Sequence, residues 1–376
     1  MTQSTPLERL DRAQRIVVKI GSALIAEQGV ARQEWLNGLA ADVQARRASG
    51  QDVLIVSSGA IALGRNRLGP NRPRKLEEKQ AAAALGQPLL MTAMAQAFAP
   101  HGLPVAQTLL TLEDTENRRR WLNARATLDT LLSAGTIPIV NENDSVATDE
   151  IRYGDNDRLA ARVAQMMSAD VLILLSDVDG LYTADPHTDP TAEHLPVLTS
   201  LTDAHTAMAG DSNRQSDVGS GGMATKLTAA RIAQSAGCAT VITLGTHERP
   251  ISALERGERA TWILSDLTPD KAREVWLKGH LSPEGAVIID NGAVAALQSG
   301  ASLLPVGVTS MEGTFARGAA VSIKDTSGQT IAKGITAYAS EDVGRIAGLQ
   351  SDQLETELGF RGRPAVVHRN DLVLER

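Results

Sequence analysis

Apolar residues recur along the chain in short unbroken runs at 15–20 (RIVVKI), 52–57 (DVLIVS), 136–140 (TIPIV), 170–175 (DVLILL) and 239–244 (ATVITL). Such runs lack the alternation of a sheet with one wet face, so they predict strands covered on both sides. Segments 31–49, 77–97, 118–133, 157–168 and 225–236 carry helix-like patterns bounded by Gly, Pro or Asn/Asp clusters. Strands alternating with helices predict an α/β class, a three-layer arrangement with a mainly parallel central sheet. In such sheets ligands gather beyond the carboxyl ends of the strands, so chemistry is expected just after each apolar run.

The pattern changes after 262–264. Segment 265–283 is polar and carries two prolines, and beyond it short strand-like runs at 286–289, 303–308, 319–323, 330–338 and 365–368 are spaced by Gly-rich turns. The expected organisation is a first domain over 1–265, a linker over 266–282, and a small β-barrel-like domain with one or two short helices over 283–376.

Composition narrows the class. Only 3% of the 376 residues are aromatic while Gly numbers 32, so the core rests on Val, Ile, Leu and Ala packed through tight turns. The single cysteine, Cys238, excludes an intramolecular disulfide, and the seven histidines are too scattered for a metal site. The first residues lack the apolar core of a signal peptide, and the longest apolar stretch, 81–99, is interrupted by Gly86, Gln87 and Pro88. A cytoplasmic protein without a membrane span is expected. A net charge of -7 supplies no electrostatic reason for nucleic acid as the main ligand, so phosphate chemistry must use local positive charge.

Five segments carry candidate chemistry. VVKIGSALI places Lys19 at a strand end with Gly21 and Ser22 after it: a point charge beside a turn whose amides can approach an anion, or simply a lysine next to a turn. VSSGAIALG joins a strand to a helix through Ser57, Ser58 and Gly59, which suits either an anion at the helix N-terminus or ordinary capping. NENDSVATDEI and the following GDND hold Asp144, Asp149, Glu150, Asp155 and Asp157, acidic enough to hold an ammonium, orient lysines or position Mg²⁺, or to be a solvated loop. LLSDVDGLYTADP ends a buried strand at Ser176 and Asp177, and the turn-rich segment after it suits a nucleotide. GSGGMATKL combines a glycine-rich turn with Lys226 at a helix start, a plausible phosphate cradle, though no GxxxxGK[ST] loop is present.

Taken in order, these five segments resemble the amino-acid kinase superfamily, and within it the branch acting on the side-chain carboxylate of glutamate; the likeness spans nearly the whole first domain. The C-terminal GAVIIDNGAVAAL, GASLLPVGV, RGAAVSI and AKGITAYAS are similar to a PUA domain. The resemblance implies ATP-dependent conversion of L-glutamate to L-glutamyl 5-phosphate with Mg²⁺, the first committed step of proline biosynthesis. It also implies homo-oligomerisation and feedback inhibition by proline. By motif, Lys19 and Lys226 contact the phosphates and Asp157 orients them. Ser176, Asp177, Ser220, Gly221, Gly222, Met223, Ala224 and Thr225 join the two lysines in holding ATP, and Ser58, Asp144 and Asn156 hold glutamate. No direct metal ligand is assigned. Ser22, Ser57 and Ser176 stand where many relatives carry Thr.

This reading makes chemical sense of residue types. A glutamate carboxylate, with an ordinary pKa of about 4.3, is already ionised at neutral pH and needs no general base. Two anions must still approach in line, so lysines, Mg²⁺ and glycine-loop amides are required and a His or Cys pair is not. Two rivals remain. One is a kinase for N-acetylglutamate or aspartate, although an acidic group in the substrate loop favours a substrate with a free ammonium. The other is an RNA-binding protein acting through the PUA-like domain, against which residues 283–376 hold eight Lys and Arg but eleven Asp and Glu, a balance of -3.

Overall fold

The computed structural model describes residues 5–69, 73, 75–147, 155–186, 188–208 and 222–375, the side chains of Asp155 and His280 excepted. It divides into two compact units, Met1–Asp270 and Lys271–Arg376.

The first unit is built on an eight-stranded sheet. Its strands are β1 (Arg15–Ile20), β2 (Asp52–Ser57), β3 (Val105–Leu110), β4 (Ile137–Glu142), β5 (Val171–Ser176), β6 (Val197–Leu198), β7 (Ala239–Leu244) and β8 (Ala260–Ile263). Their order in the sheet is β3-β4-β2-β1-β5-β7-β8-β6. All neighbours pair in parallel except β7 with β8, so only β8 and β6 run against the rest. The continuous apolar runs are explained by two cores on opposite faces. Ile16, Val18, Ile20, Val53, Ile55, Ile173 and Leu175 pack into one; Val17, Leu54, Val56, Leu172 and Leu174 pack into the other with residues of helices Asp155–Met166 and Met223–Ser235. That alternation is the two-residue period of a strand buried on both sides.

Three strands escape the sequence pattern: the two-residue β6, and β3 and β8. β3 lies at the sheet edge with most of its residues only half-buried, and β8 is a four-residue strand running opposite to its neighbour β7. None of the three has the unbroken apolar run of the central strands.

In the second unit, β9 (Gly285–Ile289), β10 (Val308–Glu312), β11 (Ala320–Asp325), β12 (Thr330–Thr336) and β13 (Val367–Leu374) form a mixed sheet of order β10-β9-β11-β12-β13 around a core that includes Val287, Ile289, Val321, Ile323 and Tyr338. The strand expected over 303–308 is not one. Leu303 makes an isolated bridge to Val367, a 3₁₀ turn follows at Pro305–Gly307, and pairing resumes at Val308. Pro305 has no N–H to give a ladder, which accounts for the break. The stretch expected as linker, 266–282, contains helix Pro269–His280, which opens on a proline whose fixed φ suits a first turn.

One close approach frames the first unit's site. After β2 the chain turns through Gly59 at φ 95°, a left-handed conformation that favours glycine, into helix Ala60–Gly64. This helix lies backbone to backbone on helix Leu76–Phe98: a Cβ on Gly86 would sit 1.7 Å from the Ala60 carbonyl oxygen, and one on Gly64 would sit 1.9 Å from that of Ala82. Helix propensity favours Gly86→Ala by about 1 kcal/mol. The clash should outweigh it, since overpacking costs roughly 1 to 3 kcal/mol and the obstructing atom is backbone. Urea unfolding followed by the fluorescence of Trp35, Trp121 and Trp262 should therefore show a lower midpoint for Gly86→Ala. An unchanged or higher midpoint would mean that the two helices separate without cost.

Candidate active site

The site follows from strand alternation and two helix stripes. Lys19 is the penultimate residue of β1, in register with Val56 of β2 and Leu174 of β5. Its side chain takes the same face as Val17, the face covered by helices Asp155–Met166 and Met223–Ser235. On the first helix Asp157, Ala160, Ala161 and Ala164 form one buried stripe, and on the second Lys226, Ala229, Ala230 and Ala233 form another. A charged residue thus occupies the first position of each apolar stripe, and both meet the end of β1.

The result is a carboxylate between two ammoniums. Asp157 is fully buried, Lys19 is 5% exposed and Lys226 is 4% exposed. Lys19 Nζ lies 2.6 Å from Asp157 Oδ1, and Lys226 Nζ lies 3.8 Å from Asp157 Oδ2. The Thr225 hydroxyl is 2.9 Å from Asp157 Oδ2. Burial alone would raise the Asp157 carboxyl, but the charges of Lys19 and Lys226, with hydrogen bonds from Lys19 and Thr225, hold it below the usual carboxylate range. Burial draws the Lys226 ammonium below the ordinary lysine value; Asp157 and Asp177 oppose this and Lys19 adds to it.

Sheet order separates the remaining candidates. Ser58 directly follows β2 and Asp144 lies two residues beyond β4, so both stand at the carboxyl edge on one side of β1. Ser176 and Asp177 stand at the end of β5 on the other side, with the Ser176 hydroxyl 3.1 Å from Asp177 Oδ1. Successive strands lead away from β1 in opposite directions here, the topological switch point at which α/β sheets bind ligands. Gly222, Met223, Ala224 and Thr225 lead from the glycine turn into the helix that carries Lys226. Ser220 and Gly221 lie outside the described residues, as do Asp149 and Glu150.

On the Asp144 side, buried polar atoms lack partners among the described residues. Asn156 Oδ1 and Asn141 Nδ2 are buried and make no hydrogen bond to a described residue. Burial pushes the Asp144 carboxyl up to about 6. Gln80 of helix Leu76–Phe98 donates to the Ala147 carbonyl at 2.9 Å, tying down the loop that carries Asp144. Asn141 was not among the sequence candidates; its signal was its place at the polar end of an apolar strand. Trp35 was also missed. Its indole N–H donates to the Gly245 carbonyl at 2.8 Å, and the Gly245 N–H donates to the Ser176 carbonyl at 2.7 Å, so helix Gln33–Ala48 braces the end of β5.

Among the described residues there is open space beside Gly21 and Gly222. Among the described residues a Cβ on Gly222 would meet nothing within 4 Å, and one on Gly21 only the Leu175 carbonyl oxygen at 3.9 Å, so their packing does not demand glycine at either place. Among the described residues no group of three or more His, Cys, Asp or Glu side chains gathers at metal-ligand spacing. No helix among them is long and apolar enough to cross a membrane.

Comparison with known proteins agrees with this architecture. The Amino acid kinase family profile matches residues 14–243 and the PUA domain profile matches residues 285–358. Glutamate 5-kinase of Caulobacter vibrioides is 55% identical, covering 97% of this chain and 97% of its own. That of Paramagnetospirillum magneticum is 54% identical over 97% of this chain and 99% of its own, and that of Paracoccus denitrificans is 53% identical over the full length of both. With a profile match over more than half of its residues and relatives this similar along nearly its whole length, the chain belongs to the amino acid kinase family, in the glutamate 5-kinase branch that carries a PUA domain.

Proposed function

We propose that the chain transfers the terminal phosphoryl group of ATP to the side-chain carboxylate of L-glutamate, giving L-glutamyl 5-phosphate and ADP, the first step of proline biosynthesis. The observation that carries this reading is the Lys19–Asp157–Lys226 cluster, which places two buried ammoniums against one carboxylate at the switch point of the sheet. Its net charge of one positive unit fits a phosphoryl group in transfer. One side of β1 offers Ser58, Asp144, Asn156 and the Asn141 amide for the amino acid. The other offers Ser176, Asp177 and the Gly222–Lys226 turn for the nucleotide.

The glutamate carboxylate arrives ionised and attacks in line without a general base, while ADP departs with the electrons of the broken P–O bond. Lys19 and Lys226 follow the charge as it shifts onto the transferring oxygens, and Asp157 keeps them in place. Mg²⁺, when bound, would neutralise phosphate charge. The described donor set suits an ion held chiefly by the nucleotide's own phosphates and by water. Asp144 would pair with the substrate ammonium and the Asn141 and Asn156 side chains would meet polar groups of glutamate. Proline keeps the α-carboxylate and a charged α-nitrogen but has no carboxylate to phosphorylate, so it would compete for these anchors as a feedback inhibitor. Cytoplasmic location and homo-oligomerisation accompany this reading. No observation favours RNA as a ligand of the acidic second unit.

ADP release should depend on L-glutamate and fall away with N-acetylglutamate, whose acylated nitrogen cannot pair with Asp144. Equal rates with the two substrates would overturn the assignment. Lys226→Ala should lower kcat by roughly 100-fold or more, the usual scale for one preorganised electrostatic contact; a near-normal kcat would remove it from the mechanism. The Asp144 carboxyl, pushed up to about 6, must be ionised to receive an ammonium. For glutamate, kcat/KM should therefore fall as pH drops through about 6, while Asp144→Asn should have lower kcat/KM and lose that acidic limb. An acidic limb retained in Asp144→Asn would assign it to another group.

A further inference from the structure

Thr225 lies in the first turn of helix Met223–Ser235, one residue before Lys226. Its hydroxyl oxygen is 2.9 Å from Asp157 Oδ2 and 2.8 Å from the Gly222 carbonyl oxygen. A hydroxyl has one hydrogen to donate, and an ionised carboxylate is a stronger acceptor than an amide carbonyl, so the proton goes to Asp157. The buried carboxylate then has an asymmetric set of neighbours. Lys19 stands at 2.6 Å from Oδ1, whereas Oδ2 faces Thr225 at 2.9 Å and Lys226 at 3.8 Å. The hydroxyl holds the same oxygen that faces Lys226, so it resists movement of the carboxylate away from this arrangement.

We infer that Thr225 is a positioning residue for phosphoryl transfer, acting through Asp157 to keep the carboxylate tight on Lys19 and apart from Lys226, so that the Lys226 ammonium is directed to the transferring phosphoryl. The inference rests on the kinase reading above and refines one part of it. Thr225 belongs to the segment expected to hold ATP, but a hydroxyl whose hydrogen is committed to Asp157 does not donate to a nucleotide phosphate. Its contribution should therefore appear in the chemical step. The bond also joins the helix carrying Asn156 and Asp157 to the one carrying the glycine turn and Lys226.

The test compares Thr225→Val, which keeps the shape and loses the hydroxyl, with Thr225→Ser, which keeps the hydroxyl. Thr225→Ala serves in place of Val should that variant fail to accumulate. With ATP and glutamate as substrates, the hydroxyl-free variant should lose roughly 10-fold or more in kcat, the scale of a hydrogen bond to a charged group, with KM for ATP within about 2-fold of the original. Thr225→Ser should recover most of the loss. Lys226 is faced by Asp157, Lys19 and Asp177. Without the hydroxyl, Asp157 closes on Lys226 and helps it keep its proton, so the alkaline limb of kcat should move to higher pH. A raised KM for ATP with unchanged kcat would assign the hydroxyl to the nucleotide and overturn the inference. So would Thr225→Ser as impaired as Thr225→Val, which would point to the methyl group. An unsubstituted chain that releases no ADP in response to glutamate would instead overturn the kinase reading, and this inference with it.

Discussion

Everything in the first unit is arranged around one carboxylate that neutralises only half of the charge facing it. Asp157 is sealed from solvent between Lys19 and Lys226, where ions lose their hydration and the attraction between opposite charges is strengthened. Without Asp157 two ammoniums would share an apolar interior, a strongly unfavourable state. With it the cluster still has one positive charge to spare, which an anionic ligand relieves. The fold provides this balance by ending β1 in a lysine and starting two adjacent helices with an acid and a lysine on their buried stripes. Parallel pairing of β1 with β2 and β5 then places loops of different chemistry on either side of the same cluster.

A second carboxylate in the region behaves in the opposite way. The Asp144 carboxyl, raised to about 6 by burial alone, has no cation paired with it among the described residues. Its ionisation above that pH opposes folding by about 3 kcal/mol relative to an ordinary unfolded value near 3.8, an opposition that fades as pH falls from 6 toward 4. Asp157 is held below its ordinary value. Its contribution stabilises the fold above the unfolded value and is lost as pH falls through the folded one. The two acids are thus pushed apart by environment: one has its counter-ions built in, and the other is raised by burial with no cation beside it among the described residues.

The second unit has its own sheet and its own core, and none of the charged cluster's residues come from it. All five chemistry-bearing segments end by Leu227, within the first compact unit, while the PUA profile matches residues 285–358 of the second.

Much of this was legible along the chain. The strands at 15–20, 52–57 and 239–244 stood out because burial on both faces leaves unbroken apolar runs, and most long helices were bounded by glycines, prolines and polar clusters. β3, β6 and β8 were not legible, because edge strands and a short reversed strand need no continuous apolar run. Lys19, Asp157 and Lys226 were each visible as residues of the right type in the right segment. Their convergence was not, since it depends on which strands are neighbours and which helix faces turn inward. The Leu303 bridge, the Asn141 amide and the Thr225 hydroxyl on Asp157 were likewise settled only in three dimensions. Local sequence determined strand, helix and the supply of charged groups through burial and backbone geometry, whereas distances between groups remote in sequence, and the low-dielectric surroundings that set their ionisation, arise only once the chain has packed.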